Sequence, residues 1–115
     1  MSTPFDDVLE GLVRQRGVRG GLIVSERDGI LVDAHVQIGV RGPVIAALAA
    51  SMYRKARLSA GAAGLGDVVY VELVAARGRL CMAGREDLLI VLVTDARASV
   101  ALLRAAVLRA TEVLQ

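Results

Sequence analysis

GPVIAALAASMYRKARL, residues 42–58, reads as one helix. Pro43 suits a first helical position, where its missing N–H would have no partner in any case. At 100° per residue, Val44, Ile45, Leu48, Ala49, Met52, Tyr53 and Ala56 fall within one half-turn, an apolar face wide enough to lie on a sheet. The other side carries Ala46, Ala47, Ala50 and Ser51, and no charge appears before Arg54. A solvent-facing flank is normally polar, so small apolar residues there predict that another backbone comes close. A chain of 115 residues has no spare element to cover that flank, which points to a second copy of the chain. The alternative is an Ala-rich helix that simply exposes methyl groups, since Ala is the best helix former.

Length and composition fit one domain spanning residues 1–115. A hydrophobic fraction of 55% and a mean hydropathy of +0.55 are high for a lone soluble domain and favour an oligomer. Membrane insertion is not expected, because the longest charge-free run, Gly42 to Tyr53, falls short of the roughly 18 residues a span needs. Asp6, Asp7 and Glu10 speak against a signal peptide. The single Cys81 cannot form an intrachain disulfide, and a cytoplasmic location is expected. The formal net charge is +2, and thirteen of the fourteen cationic residues are Arg, scattered along the chain. Nucleic acid wants a continuous basic stripe, and single strands want stacking aromatics as well. With Phe5, Tyr53 and Tyr70 the only aromatics, no nucleic-acid partner is expected.

Flanking the central helix, Thr3 and Pro4 open a helix whose apolar residues Phe5, Val8, Leu9, Leu12 and Val13 recur up to Gln15. Gly17, Gly20 and Gly21 are read as its end and the turn beyond. Leu22 to Ser25 and Ile30 to His35 form a hairpin around Glu26-Arg27-Asp28-Gly29, Asp-Gly between apolar runs being a strong hairpin signal. Ser59 to Gly66 is read as a linker. Val68 to Ala75, Arg79 to Ala83 and Leu88 to Thr94 then read as three strands, the last apolar on both faces and therefore interior. Asp95 or Ser99 can cap a final helix with the stripe Val100, Leu103, Val107, Ala110 and Leu114. The order is α-β-β-α-β-β-β-α. The expected fold is an α/β sandwich: a five-stranded antiparallel sheet, the two terminal helices on one face and the central helix on the other.

The chain offers no catalytic motif. Gly61-Ala62-Ala63-Gly64-Leu65-Gly66 lacks the Lys-Ser/Thr of a phosphate loop and precedes a strand, not a helix. His35 is the only His and has no evident nucleophile beside it. Asp28, Glu86 and Asp87 are read as turn residues, and Glu72 alone among the strand residues reads as a partly buried acid, for which pairing with an Arg or pointing at a loop is expected over catalysis. Cys81 has no CxxC or His neighbour, so ligand count rules against a metal. No catalytic residue, cofactor or metal site is expected, and the chain is not expected to be an enzyme.

Several stretches together resemble the roadblock/dynein light chain family: Gly20-Gly21-Leu22-Ile23-Val24, Glu26-Arg27-Asp28-Gly29-Ile30-Leu31-Val32, the Ala-rich Ile45 to Met52, and Leu89 to Thr94 before a last helix. The likeness runs from about Asp6 to Leu114. It implies a homodimer in which central helices pack side by side and the strand after them pairs edge to edge with its copy. The implied dimer contacts are Ala46, Ala47, Ala50 and Ser51 on the helix and Val69, Tyr70 and Val71 on the strand. Family members are non-enzymatic platforms, and the bacterial kind, which this chain resembles, regulates small Ras-like GTPases. Arg54, Lys55 and Arg57, doubled by a two-fold axis, would then meet an acidic GTPase surface; the alternative is that they only solubilise the helix end. A small-molecule sensor module and a purely structural adaptor are the other readings of the chain.

Overall fold

A computed structural model of the chain describes residues 3–114. They form helix α1 (Asp6–Val13), strands β1 (Val18–Ser25) and β2 (Leu31–Val36), and helix α2 (Gly42–Ala62). Strands β3 (Val71–Ala75), β4 (Gly78–Arg85) and β5 (Leu88–Asp95), helix α3 (Val100–Ala110) and a short 3₁₀ turn at Thr111–Val113 follow. The strands make one five-stranded antiparallel sheet, as expected, and their spatial order is β2-β1-β5-β4-β3. β5 lies in the middle because it is apolar on both sides. Leu89 and Val91 join one core with Leu22, Val24, Met82, Ala46, Ala49, Ala50 and Tyr53. Ile90 and Leu92 join another with Leu9, Leu12, Ile23, Cys81, Leu103, Val107 and Leu114. Hence α2 covers one face, and α1 and α3 the other.

Several boundaries differ from the sequence expectation, the largest shifts being at α1, β1, α2 and β3. α1 starts at Asp6, because Thr3 Oγ1 accepts from the Phe5 N–H at 3.2 Å and holds the preceding turn. β1 begins at Val18 and takes in Gly20 and Gly21, which are strand residues and not a turn. A Cβ at Gly20 would lie 2.9 Å from Val36 Cγ1, so glycine there lets the neighbouring edge strand's side chain fold over it. α2 runs on to Ala62, four residues past Leu58, since Ala60 and Ala62 favour helix more than Gly61 opposes it. It ends in paired bonds from Leu65 N–H to Ala60 C=O (2.9 Å) and from Gly64 N–H to Gly61 C=O (3.1 Å), with Gly64 at φ +72°. Those bonds satisfy carbonyls the last turn would otherwise leave open. β3 is shorter than the apolar run suggests and excludes Val68 to Tyr70.

The larger correction concerns which side of α2 meets the sheet. Ala46, Ala49 and Ala50 are fully buried against it, whereas Val44 and Leu48 face outward, Leu48 with 56% of its surface exposed. Ala46 and Ala50 therefore do not line the outward flank. The bulk in this layer is supplied by the sheet, through Leu22, Val24, Met82, Leu89 and Val91, and small residues on the helix let its axis settle close onto those side chains. Tyr53, the one large α2 residue fully within that layer, fills the far end.

Candidate interaction surface

The outward arc of α2 is apolar without being small. Val44, Ala47, Leu48 and Leu58 are exposed, and Ser51 and Met52 are half-buried. The sheet's edge strand β3 pairs with β4, and its other edge carries no strand among the described residues. Val69 and Val74 stand 70% and 61% exposed at the ends of this edge. A free β-branched edge invites pairing with another strand. Of the strand residues implied for the interface, Val69 is outermost and Val71 leans onto the α2 core. Tyr70 turns the other way, packing against the α1/α3 core with Arg104 stacked 5.3 Å from its ring centroid. Its hydroxyl donates to Glu72 Oε2 at 2.9 Å, and burial first, then Cys81 and Glu72, pushes its pKa well up. Burial likewise raises the Cys81 thiol, which is fully enclosed and behaves as a small apolar residue.

The basic end of α2 is less free than its sequence suggests. Arg54 donates to the backbone carbonyl of Glu26 in the β1–β2 hairpin. Arg57 Nε lies 2.5 Å from Glu26 Oε1, a pairing by charge without an aligned hydrogen bond. Glu26 is itself 7% exposed, and its N–H donates to the Asp87 carbonyl at 2.9 Å. The two arginines thus tie α2 to the β1–β2 hairpin, and the Glu26 backbone joins that hairpin to the β4–β5 turn. Lys55 is exposed, and the Arg57 side chain keeps 55% of its surface in solvent. Sequence reasoning missed Glu26, and no signal in the chain joins it to residues 28 and 31 positions later.

Two further contacts between titratable residues shape the carboxylates elsewhere. His35 Nε2 lies 3.0 Å from Asp6 Oδ1 and ties the β2 edge to α1. That contact, followed by the Thr3 N–H, draws the Asp6 carboxyl below its ordinary range. Arg97 does the same for Asp95 across a 2.7 Å ion pair. Among the described residues, no group of three or more His, Cys, Asp or Glu is placed to hold a metal ion. None of their helices is long and apolar enough to cross a membrane.

Comparison with solved structures places the same architecture in other proteins. Myxococcus xanthus MglB superposes with a TM-score of 0.86 at 20% identity, over 97% of this chain and 92% of that one. The gliding protein mglB of Thermus thermophilus gives 0.84 at 22% identity, over 99% and 90%. A Roadblock/LC7 domain from Streptomyces avermitilis gives 0.82 at 22%, over 93% and 91%.

The chain has the Roadblock/LC7 fold.

In sequence, the uncharacterized protein MJ1340 of Methanocaldococcus jannaschii is 25% identical over 108 residues, 94% of each chain. MJ0310 of the same organism is 24% identical over the same share. No family model matches the chain. On the Roadblock frame, the exposed α2 arc and the unpaired β3 edge lie on the two elements that the sequence resemblance names as the dimer-forming ones.

Proposed function

We propose that this protein is a cytoplasmic, non-enzymatic homodimer that binds a small Ras-like GTPase and biases its nucleotide state. The observation that carries the reading is the coincidence, on a Roadblock fold shared with MglB, of an exposed apolar α2 arc with an unpaired β3 edge. In the proposed dimer Val44, Ala47, Leu48 and Ser51 of one α2 meet their copies, and the edge from Val69 to Val71 pairs across the two-fold axis. Burying a Leu or Val side chain contributes roughly 1.5–3 kcal/mol, so two copies of Val44 and Leu48 are a useful part of the association free energy. The two-fold axis doubles Lys55 and the exposed part of Arg57 into a basic patch for an acidic partner, with Arg54 engaged on its own hairpin. Such a patch raises association rate and selectivity more than affinity. The protein acts by preferring one nucleotide state of its partner, because a binder shifts an equilibrium only through differential affinity. The test is GTP hydrolysis by a Ras-like GTPase encoded beside this gene, with and without the protein. A changed rate supports regulation; binding with an unchanged rate and unchanged nucleotide affinity identifies a structural adaptor instead.

A further inference from the structure

On the α2 side of the sheet, one row of side chains at the margin of the core is only partly covered. Leu73, Leu80 and Val93 are consecutive cross-strand partners on β3, β4 and β5, and the next position on β1 is Gly20, which offers no side chain. The positions beyond that row, Ala75 and Gly78, are small. The outcome is an open cleft of about 450 Å³ with an apolar floor. That volume is in the roughly 300–1,000 Å³ range of small-molecule sites.

The rim is cationic. Arg19, at the irregularity in the β1–β5 register, and Arg77, in the β3–β4 turn, stand at the same end of the sheet, and no Asp or Glu lines the cleft. Asp95, close to Arg19 in the fold, is bound to Arg97 by contacts of 2.7 and 3.1 Å. Arg79 contributes only to the wall, because its guanidinium donates to the Ala98 carbonyl at 3.3 Å. Guanidinium groups match carboxylates in charge and in planar two-point geometry. The floor crosses three strands spaced about 4.8 Å apart, a reach of roughly 10 Å that an extended chain of about eight carbons spans. We infer that this cleft binds a small amphiphilic carboxylate, its aliphatic body along Leu73, Leu80 and Val93 and its charge at Arg19, where the floor ends beside β1, with Arg77 adding to the positive field of the rim. The site lies on the face of the sheet, not on the free hydrogen-bonding edge of β3, and binding there does not depend on the GTPase reading.

The test is a titration of the ¹⁵N-labelled protein followed by amide chemical shifts, with sodium octanoate, octan-1-ol and sodium acetate as probes. Octanoate should give saturable shifts centred on residues 19, 73–80 and 93–94. Octanol and acetate, each lacking one half of the recognition, should bind at least about tenfold more weakly, and Arg19→Gln with Arg77→Gln should weaken octanoate by about tenfold or more. Both arginines are on the rim, so the variant should keep the shifts of the two cores, which checks its fold. Absence of saturable shifts in this region, shifts centred on the α2 arc, or equal binding of octanol and octanoate would each overturn the assignment.

Discussion

Tyr53 is the residue through which α2 holds the far half of the sheet, and removing one oxygen atom tests that role. Its ring is 3% exposed and packs over Gly84, where a Cβ would come within 3.2 Å of ring carbons. Its hydroxyl donates to the Val68 carbonyl at 3.2 Å and accepts from the Gly84 N–H at 3.1 Å. Burial raises the pKa of the hydroxyl, so it stays neutral and keeps its proton for Val68 at any ordinary pH. Tyr53→Phe preserves the ring and deletes both bonds. Each is worth about 1 kcal/mol net, and the Gly84 N–H, lying beneath the ring, has no easy route to water. The expected loss is therefore about 2 kcal/mol. For a domain of this size that corresponds to a fall in Tm of roughly 8 °C. Urea unfolding followed by circular dichroism, at one protomer concentration so that association does not enter the comparison, measures it. Amide exchange at Gly84 should accelerate more than at its β5 partner Leu89. A loss below about 0.5 kcal/mol, with Gly84 still protected, would show that the hydroxyl bridge contributes nothing and that ring packing alone holds the junction.

Leu48→Glu places a charge on the exposed α2 arc and should leave the fold intact while converting a dimer to a monomer in sedimentation; an unchanged dimer would move the interface elsewhere. Ala50→Glu should behave differently, since Ala50 is fully buried against the sheet: the expected outcome is loss of folding of the order of 3 kcal/mol or more, read by thermal melting. Acid should destabilise the protein through Asp6, Asp28 and Asp95, whose folded pKa values lie below the ordinary 3.8 because of His35, the Ile30 N–H and Arg97 respectively. A depressed carboxylate pKa gives stability that is complete well above 3.8 and lost as pH falls through the folded value, so Asp6→Asn should flatten the pH dependence between about pH 5 and 2. If the wild type and Asp6→Asn lose stability in parallel over that window, the Asp6 contact carries no linkage. Lys55→Glu with Arg57→Glu should weaken binding to a GTPase partner mainly at low salt, and equal affinities at low ionic strength would remove the basic patch as a contact.

The order of elements, the central place of β5 and the existence of two cores were legible in the chain, because each depends on local alternation. Leu88 to Val93 is apolar at every position, and only a strand covered on both sides satisfies that. The Asp28-Gly29 hairpin was legible for the same reason, its turn needing the positive φ that Gly29 adopts at +71°. What the chain by itself did not determine is which arc of α2 faces inward. On a helical wheel the arc of Val44, Leu48 and Met52 outweighs Ala46, Ala49 and Ala50 in hydrophobicity, and hydrophobicity alone turns the larger side chains inward. Only the tertiary structure reveals that the sheet already fills that layer with Leu22, Val24, Met82, Leu89 and Val91, leaving room for methyl groups. The fate of Arg54 and Arg57 was decided in the same way, by a hairpin brought beneath them from 28 and 31 residues earlier. Periodicity records the neighbours along a chain; how much volume the opposite layer leaves, and which charge it presents, is known only once that layer is in place.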